Sequence, residues 1–386
     1  MRRRGYLATA GALVLAGCAG GGGDGDDGES ETTERDGGTD TDGPGDGTET
    51  PVETTAGTEQ GTTETTDEPG SAVTERWSVG VPGRYLARTD EVLVAGGENR
   101  VTAVDAGGSV VWDTTLEATV DDVRATAGTV AVALTGGGVV GFDAASGDRR
   151  WSFTLVEDDR APYALATAGD WIARLAGRDE ARYRVVDARS GEQALAGALD
   201  ATGFALAGRA DGTVVMATAE STVAIDVPAR ETLWTSDAAP SGGTIALGED
   251  SVVLGRIGGA VALNAADGSE RWRYQDGAFA PRRAAIGGGQ VYLGSGTDDR
   301  LTAVSADGGE ENWTFEITGR ETLPPVTVGG AVVATPLADT LALLDPANGE
   351  AVYEQGDFRA PDGVAVEGSR LAVGTEERVR SFDVSL

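Results

Sequence analysis

The sequence predicts an all-β fold: an eight-bladed β-propeller of four-stranded antiparallel blades, its ring closed by pairing of the N- and C-terminal strands. Three observations predict it. A unit of about 40 residues recurs through residues 73–386, the period of propeller blades. Each unit contains short apolar strands set apart by turn residues. The two ends of this region are half-units that complete each other.

The clearest part of the unit is an apolar strand ending in Asp, a short Gly-bearing turn, then a strand reaching Trp. It reads VTAVDAGGSVVW (101–112), VVGFDAASGDRRW (139–151), YRVVDARSGEQAL (183–195) and TVAIDVPARETLW (222–234). It continues as AVALNAADGSERW (260–272), LTAVSADGGEENW (301–313) and LALLDPANGEAVY (341–353), with a last half-unit VRSFDVSL. The turn positions are Asp105, Asp143, Asp187, Asp226, Asn264, Ser305, Asp345 and Asp383, spaced by 38, 44, 39, 38, 41, 40 and 38 residues. A second apolar strand lies upstream of each: 91–95, 130–134, 171–175, 214–217, 252–255, 291–294, 332–335 and 371–374.

The aromatic position holds Trp77, Trp112, Trp151, Leu195, Trp234, Trp272, Trp313 and Tyr353. Trp77 has no Asp unit before it and Asp383 no Trp after it, so a strand around Phe382 is expected to pair with one around Trp77 and remove the open edges. The roles expected here are structural. The Asp accepts hydrogen bonds from the turn backbone. Gly147, Gly191, Gly268, Gly309 and Gly349 supply positive φ. The Trp buries its ring between blades while its N–H finds a partner. Three departures stand out: Arg230 for Gly, the shortened turn at Gly107-Gly108, and Leu195 for Trp, which predicts weaker docking of the third blade.

These units resemble the pyrroloquinoline-quinone (PQQ)-type propeller repeat, Ala-x-Asp-x-x-Thr-Gly-x-x-x-Trp, over residues 77–386. The resemblance implies two kinds of relative: quinoprotein alcohol dehydrogenases, which hold PQQ and calcium centrally, and the cofactor-free lipoproteins of the barrel-assembly (BamB-type) machinery. A lipobox, a linker and a propeller are similar in layout to the second. The adjacent-cysteine disulfide and long inserted loops of the dehydrogenases are missing, so neither PQQ nor another cofactor is expected.

Ahead of the propeller stand two further segments. Residues 1–18, MRRRGYLATAGALVLAGC, read as a signal peptide: arginines, then an apolar run too short to span a bilayer of about 30 Å. Leu15-Ala16-Gly17-Cys18 looks like a lipobox, with Cys18 the lipidated residue and sole cysteine, and Arg3 and Arg4 before Gly5-Tyr6-Leu7 resemble the twin-arginine export signal. Residues 19–72 carry 16 acidic residues against Arg35, almost without large apolar ones, and read as a disordered tether of about 40 Å mean reach. The expected location is the outer face of the cytoplasmic membrane.

Charge narrows the partners. The formal net charge is -33, all 30 basic residues are Arg, and histidine is absent. Nucleic acid, bound by neutralising phosphates, is excluded as a partner. Acid excess without Lys is similar to proteins of extreme halophiles, notably haloarchaea, in whose molar salt the Debye length shrinks to about 3 Å. Without His, Lys or a free thiol the usual bases, Schiff-base amines and catalytic thiols are gone, so no catalytic residue and no enzyme are expected. Carboxylate chemistry of the glycosidase kind remains open. The pairs Asp121-Asp122, Asp158-Asp159 and Asp298-Asp299 read as solvated rather than as calcium ligands, and no metal site is assigned. Asn312-Trp313-Thr314 fits a glycosylation sequon whose centre is a docking residue. Arg282 and Arg283, between blades, are the candidate grip on an acidic partner, set against plain charge balance over a region of net −21 (26 basic, 47 acidic). The expectation is a monomeric, lipid-anchored scaffold that binds a protein or peptide through loops or funnel. The alternatives are a small-molecule or quinone sensor or dehydrogenase, and a glycan-binding or glycan-cleaving surface protein.

Overall fold

The computed structural model describes residues 73–155, 163–176, 181–199, 203–241, 244–277, 279–295, 299–317, 325–328, 332–337, 340–356, 358 and 363–385. Cys18, Arg3, Arg4, the tether, Asp158-Asp159 and Asp298 lie outside them.

All regular structure among the described residues is strand, in eight four-stranded antiparallel sheets. Seven blades are contiguous in sequence. Blade 1 is β2 (Tyr85–Arg88), β3 (Leu93–Gly97), β4 (Arg100–Val104) and β5 (Val110–Thr115). Blade 2 is β6 (Val120–Thr126), β7 (Thr129–Leu134), β8 (Gly138–Asp143) and β9 (Arg149–Thr154). Blade 3 is β10 (Tyr163–Ala168), β11 (Trp171–Ala176), β12 (Ala181–Asp187) and β13 (Gln193–Leu199). Blade 4 is β14 (Gly203–Gly208), β15 (Thr213–Thr218), β16 (Thr222–Asp226) and β17 (Glu231–Ser236). Blade 5 is β18 (Ile245–Leu247), β19 (Ser251–Arg256), β20 (Gly259–Asn264) and β21 (Glu270–Gln275). Blade 6 is β22 (Arg283–Gly287), β23 (Gln290–Ser295), β24 (Arg300–Ser305) and β25 (Glu311–Glu316). Blade 7 is β26 (Val326–Val328), β27 (Val332–Leu337), β28 (Thr340–Leu344) and β29 (Ala351–Gln355). The last sheet is composite: β30 (Gly363–Glu367), β31 (Arg370–Gly374) and β32 (Val379–Val384) are completed by β1 (Val73–Val79). The first strands of successive blades touch in order around the ring, and β30 meets β2.

Burial follows strand position. Second and third strands are sandwiched between neighbouring blades, so β19 (SVVLGR) and β20 (GAVALN) are almost continuously buried. Fourth strands face solvent on one side and alternate, as in β5 and β25. The second strand of blade 1 begins at Leu93 rather than at 91, because Thr89 holds residues 89–92 in a turn: its hydroxyl accepts the amides of Glu91 and Val92.

The blades dock by one repeated device. The indole N–H of each Trp donates to the carbonyl that follows the turn residue of the next blade: Trp77 to Ala106, Trp112 to Ala144, Trp151 to Ala188, Trp234 to Ala265, Trp272 to Ala306 and Trp313 to Pro346, at 2.8–3.1 Å. Each ring also lies flat on that turn's glycine. At Gly268 (φ 72°) a Cβ would stand 2.5 Å from the Trp234 ring, so the glycine serves close approach as well as turn conformation. Leu195 and Arg230 are the two halves of the seam between blades 3 and 4, which lacks this device, as does the seam of blade 7 with the composite blade, where Tyr353 stands for Trp and no turn follows Asp383. Arg230 keeps the left-handed turn (φ 58°), and its own amide takes the Val227 carbonyl at 3.3 Å, the acceptor an indole would have used.

The turns form as carboxylate-capped loops. Asp105 accepts the amides of Gly107 and Ser109, Asp143 those of Ala145 and Ser146, and Asp187 those of Arg189 and Ser190. Asp226, Asn264 and Asp345 each accept one such amide, from Ala229, Ala266 and Ala347. Asp383 is a correction. No turn follows it, because the fourth strand of its blade is β1; the carboxylate instead pairs with Arg76 of β1 at 2.8 Å. Tyr353 faces that composite blade, and its hydroxyl donates to Gln355 of its own strand. Across the closure, Glu75 pairs in register with Phe382 and Trp77 with Ser381, and Arg380 ion-pairs with Glu75 while lying over the rings of Phe358 and Phe382.

Every third-to-fourth strand pair, and the β32–β1 pair, carries a bulge at the residue before the aromatic position. The bulge throws that side chain outward. Arg76, Arg150 and Arg271 fold back from it onto Asp383, Asp143 and Asp307, and Val111, Leu233 and Val352 stay exposed there. Asn312 is another bulge residue, and its amide donates to Gln290.

Candidate partner-binding site

Strand alternation gives the ring two unlike faces. First-to-second and third-to-fourth turns share one, occupied by the capped turns. Second-to-third hairpins and the connections between blades share the other, and the candidate site lies there.

The eight innermost strands are mostly Ala, Val, Leu, Ile, Gly and Thr, as in β18 (IAL) and β26 (VTV). Their charged residues are Arg88, Asp121, Asp122, Arg124, Arg283 and Glu367. Arg88 pairs with Glu367 at 2.8 Å across the seam of the composite blade and blade 1, and its burial lowers its pKa. Asp122 pairs with Arg124 at 2.8 Å, and Asp121 lies 3.7 Å from Arg174, a fully buried arginine of β11. The expectation that Asp121-Asp122 is solvated is corrected for Asp122: its side chain keeps 18% of its surface, and burial, the largest influence, raises its pKa despite Arg124. Arg124 also donates to the Leu165 carbonyl of blade 3, so this cluster ties two blades. Among the described residues, Arg283 is the innermost-strand charge without an ion pair.

Arg282 and Arg283 are both exposed, and Arg283 opens β22 rather than lying in a loop. The connection that leads to them, 276–283, is fastened on both sides. The Gly258 amide donates to the Phe279 carbonyl (2.7 Å), Asp276 N–H to Gly258 (2.9 Å), and Arg282 N–H to Gly294 (2.9 Å). Phe279 is buried; Arg300 lies over its ring at 4.4 Å and ion-pairs with Asp276. Tyr274 donates to Glu311 at 2.6 Å, and burial together with that carboxylate raises its pKa. The acid on this connection is thus engaged by Arg300, and Arg282 and Arg283 are left without carboxylate partners among the described residues. Their exposure was legible in the sequence; the buried aromatic and hairpin bonds that hold them were not, because they arise from residues of two blades.

No group of three or more His, Cys, Asp or Glu among the described residues is arranged to hold a metal ion. A calcium-held quinone bearing carboxylates needs oxygen ligands and cations converging on the channel. Among the described residues the innermost strands are mainly Ala, Val and Leu, and five of their six charges are ion-paired.

A family model described as outer membrane protein assembly factor BamB matches residues 52–218, 161–279, 218–362 and 276–384. The crystal structure of BamB from Moraxella catarrhalis superposes with a TM-score of 0.67 at 17% identity, covering 81% of this chain and 99% of that one. A quinohemoprotein alcohol dehydrogenase from Pseudomonas putida superposes with a TM-score of 0.63 at 13% identity, covering 81% and 76%. At these identities the likeness is one of fold. In sequence, serine/threonine-protein kinase AfsK of Streptomyces griseus is 27% identical over 194 residues, 45% of this chain and 23% of the kinase, so the chain spans about a quarter of that relative's length.

Proposed function

The chain belongs to the PQQ-repeat propeller family described as outer membrane protein assembly factor BamB, and from that premise we propose a non-catalytic scaffold that binds a protein partner. The observation that carries this reading is the disposition of charge around the channel. Five of the six innermost-strand charges are neutralised by neighbours, while Arg283 stands exposed beside Arg282 on a braced connection. Such an arrangement offers a rigid binding surface. The scaffold is held to the outer face of the cytoplasmic membrane by lipid on Cys18, after export directed by Arg3-Arg4, and residues 19–72 give it reach.

The test is cross-linking of the full chain in intact membranes at molar salt, with identification of linked peptides. A reproducible partner linked to blades 5 and 6, and absent when residues 73–386 are deleted, supports the scaffold. Recovery of the protein without linked peptides overturns it. A Cys18→Ser variant is expected to move from membrane to soluble fractions; unchanged membrane retention counts against the anchor.

A further inference from the structure

We propose that the connecting face at blades 5 and 6 is a docking surface for an acidic peptide segment of a partner protein, one whose carboxylates flank an apolar residue. This rests on the scaffold reading and names the chemistry of its partner. Two independent features meet there. Ile257, 73% exposed and the most exposed large apolar residue described, sits at the tip of the β19–β20 hairpin. Its backbone is shaped by Gly258 and Gly259, both at positive φ (88° and 136°). That hairpin bonds to the 276–283 connection through Gly258, Phe279 and Asp276, so the isoleucine and the arginine pair share one platform. Arg256, at the base of the hairpin, adds a third positive charge; its field lowers the Glu270 pKa as a minor influence, and it makes no ion pair among the described residues.

Charge selects the partner. In a propeller of net −21, a basic segment would be drawn to the acid-capped turns of the opposite face and has no reason to prefer this one. Here Arg282 and Arg283 make no ion pair among the described residues. An apolar side chain against Ile257 adds attraction that salt does not screen, and Arg–carboxylate contacts form at hydrogen-bonding range, where a Debye length of about 3 Å still leaves attraction. A rigid, pre-braced platform also loses little entropy on binding.

The probe is a fluorescein-labelled peptide, Asp-Glu-Leu-Phe-Asp-Glu, titrated with the full chain at 1 M salt and followed by anisotropy. Saturable binding is expected. Arg282→Ala with Arg283→Ala should weaken it roughly tenfold, a loss of about 1.4 kcal/mol, and Ile257→Ser severalfold. Arg189→Ala, on the opposite face, should leave it unchanged, and circular dichroism and melting curves should match for all variants. Equal affinity of the double variant overturns the proposal. So does equal binding when Leu-Phe is replaced by Ser-Ser, or when dextran sulfate or anionic vesicles displace the peptide without discrimination, since the surface would then read charge alone. A partner still cross-linked by the double variant would leave the scaffold standing and remove this surface from it.

Discussion

At the residue scale the most informative side chains are those whose environment contradicts their type. Asp122 is a carboxylate lowered into the seam of blades 2 and 3, faced by Arg124, Asp121 and Arg174. With its folded pKa raised, it favours folding most below its ordinary value near 3.9 and loses that contribution as pH rises through the folded value. The melting temperature should therefore fall across that window, and Asp122→Asn should flatten the fall; an unchanged pH profile would show Asp122 to be solvated. Asp143 and Asp187 act oppositely. Backbone amides, first those of Ser146 and Ser190, hold their pKa low, so their contribution is present above about 3.9 and disappears as pH falls through the depressed value. Tyr292 is a third case: among the described residues its hydroxyl is buried without a hydrogen-bond partner, and burial pushes its pKa up to about 12. Tyr292→Phe should be neutral or stabilising, read as the urea midpoint, because it removes an unsatisfied polar atom at nearly constant shape.

At the element scale the unit is the seam, one Trp against one capped turn. Trp234→Phe removes the N–H bond to Ala265 and should cost about 1 kcal/mol; Trp234→Ala adds a cavity and should cost about 3–5 kcal/mol. The seam of blades 3 and 4 gives a sharper test. Leu195→Trp alone meets Arg230, and Arg230→Gly alone relieves one positive φ; together they recreate the common device. The double variant should exceed the sum of the singles by about 0.5–3 kcal/mol in denaturant unfolding, and simple additivity would show that the two positions do not meet. The sequence made both ends of this device visible, since Trp and Gly recur at fixed spacing. It did not show that Trp of one unit meets Gly of the next, because that contact belongs to the ring and not to the repeat. For the same reason Asp383 read as a turn residue: its local string is that of the other units, and only the composite blade turns its carboxylate toward Arg76. Arg282 and Arg283 were picked out by type, whereas Ile257 was not, because a lone apolar residue in a turn carries no periodic signal.

At the scale of the whole molecule, excess negative charge opposes compaction. We expect dilution from molar to low salt to lower the melting temperature and loosen the far-UV spectrum, as unscreened self-repulsion grows; identical curves in both conditions would count against adaptation to brine. The composite blade has a further consequence, one of time. Arg76 and Asp383 are 307 residues apart in the chain. At a synthesis rate of about 5–20 residues per second, β1 emerges roughly 15–60 s before the strand it must pair with. Throughout that interval a bare strand edge is available to other chains. A nascent chain of this protein is thus an aggregation hazard until β32 is made, and a partner that covers β1 through that interval would lower the hazard.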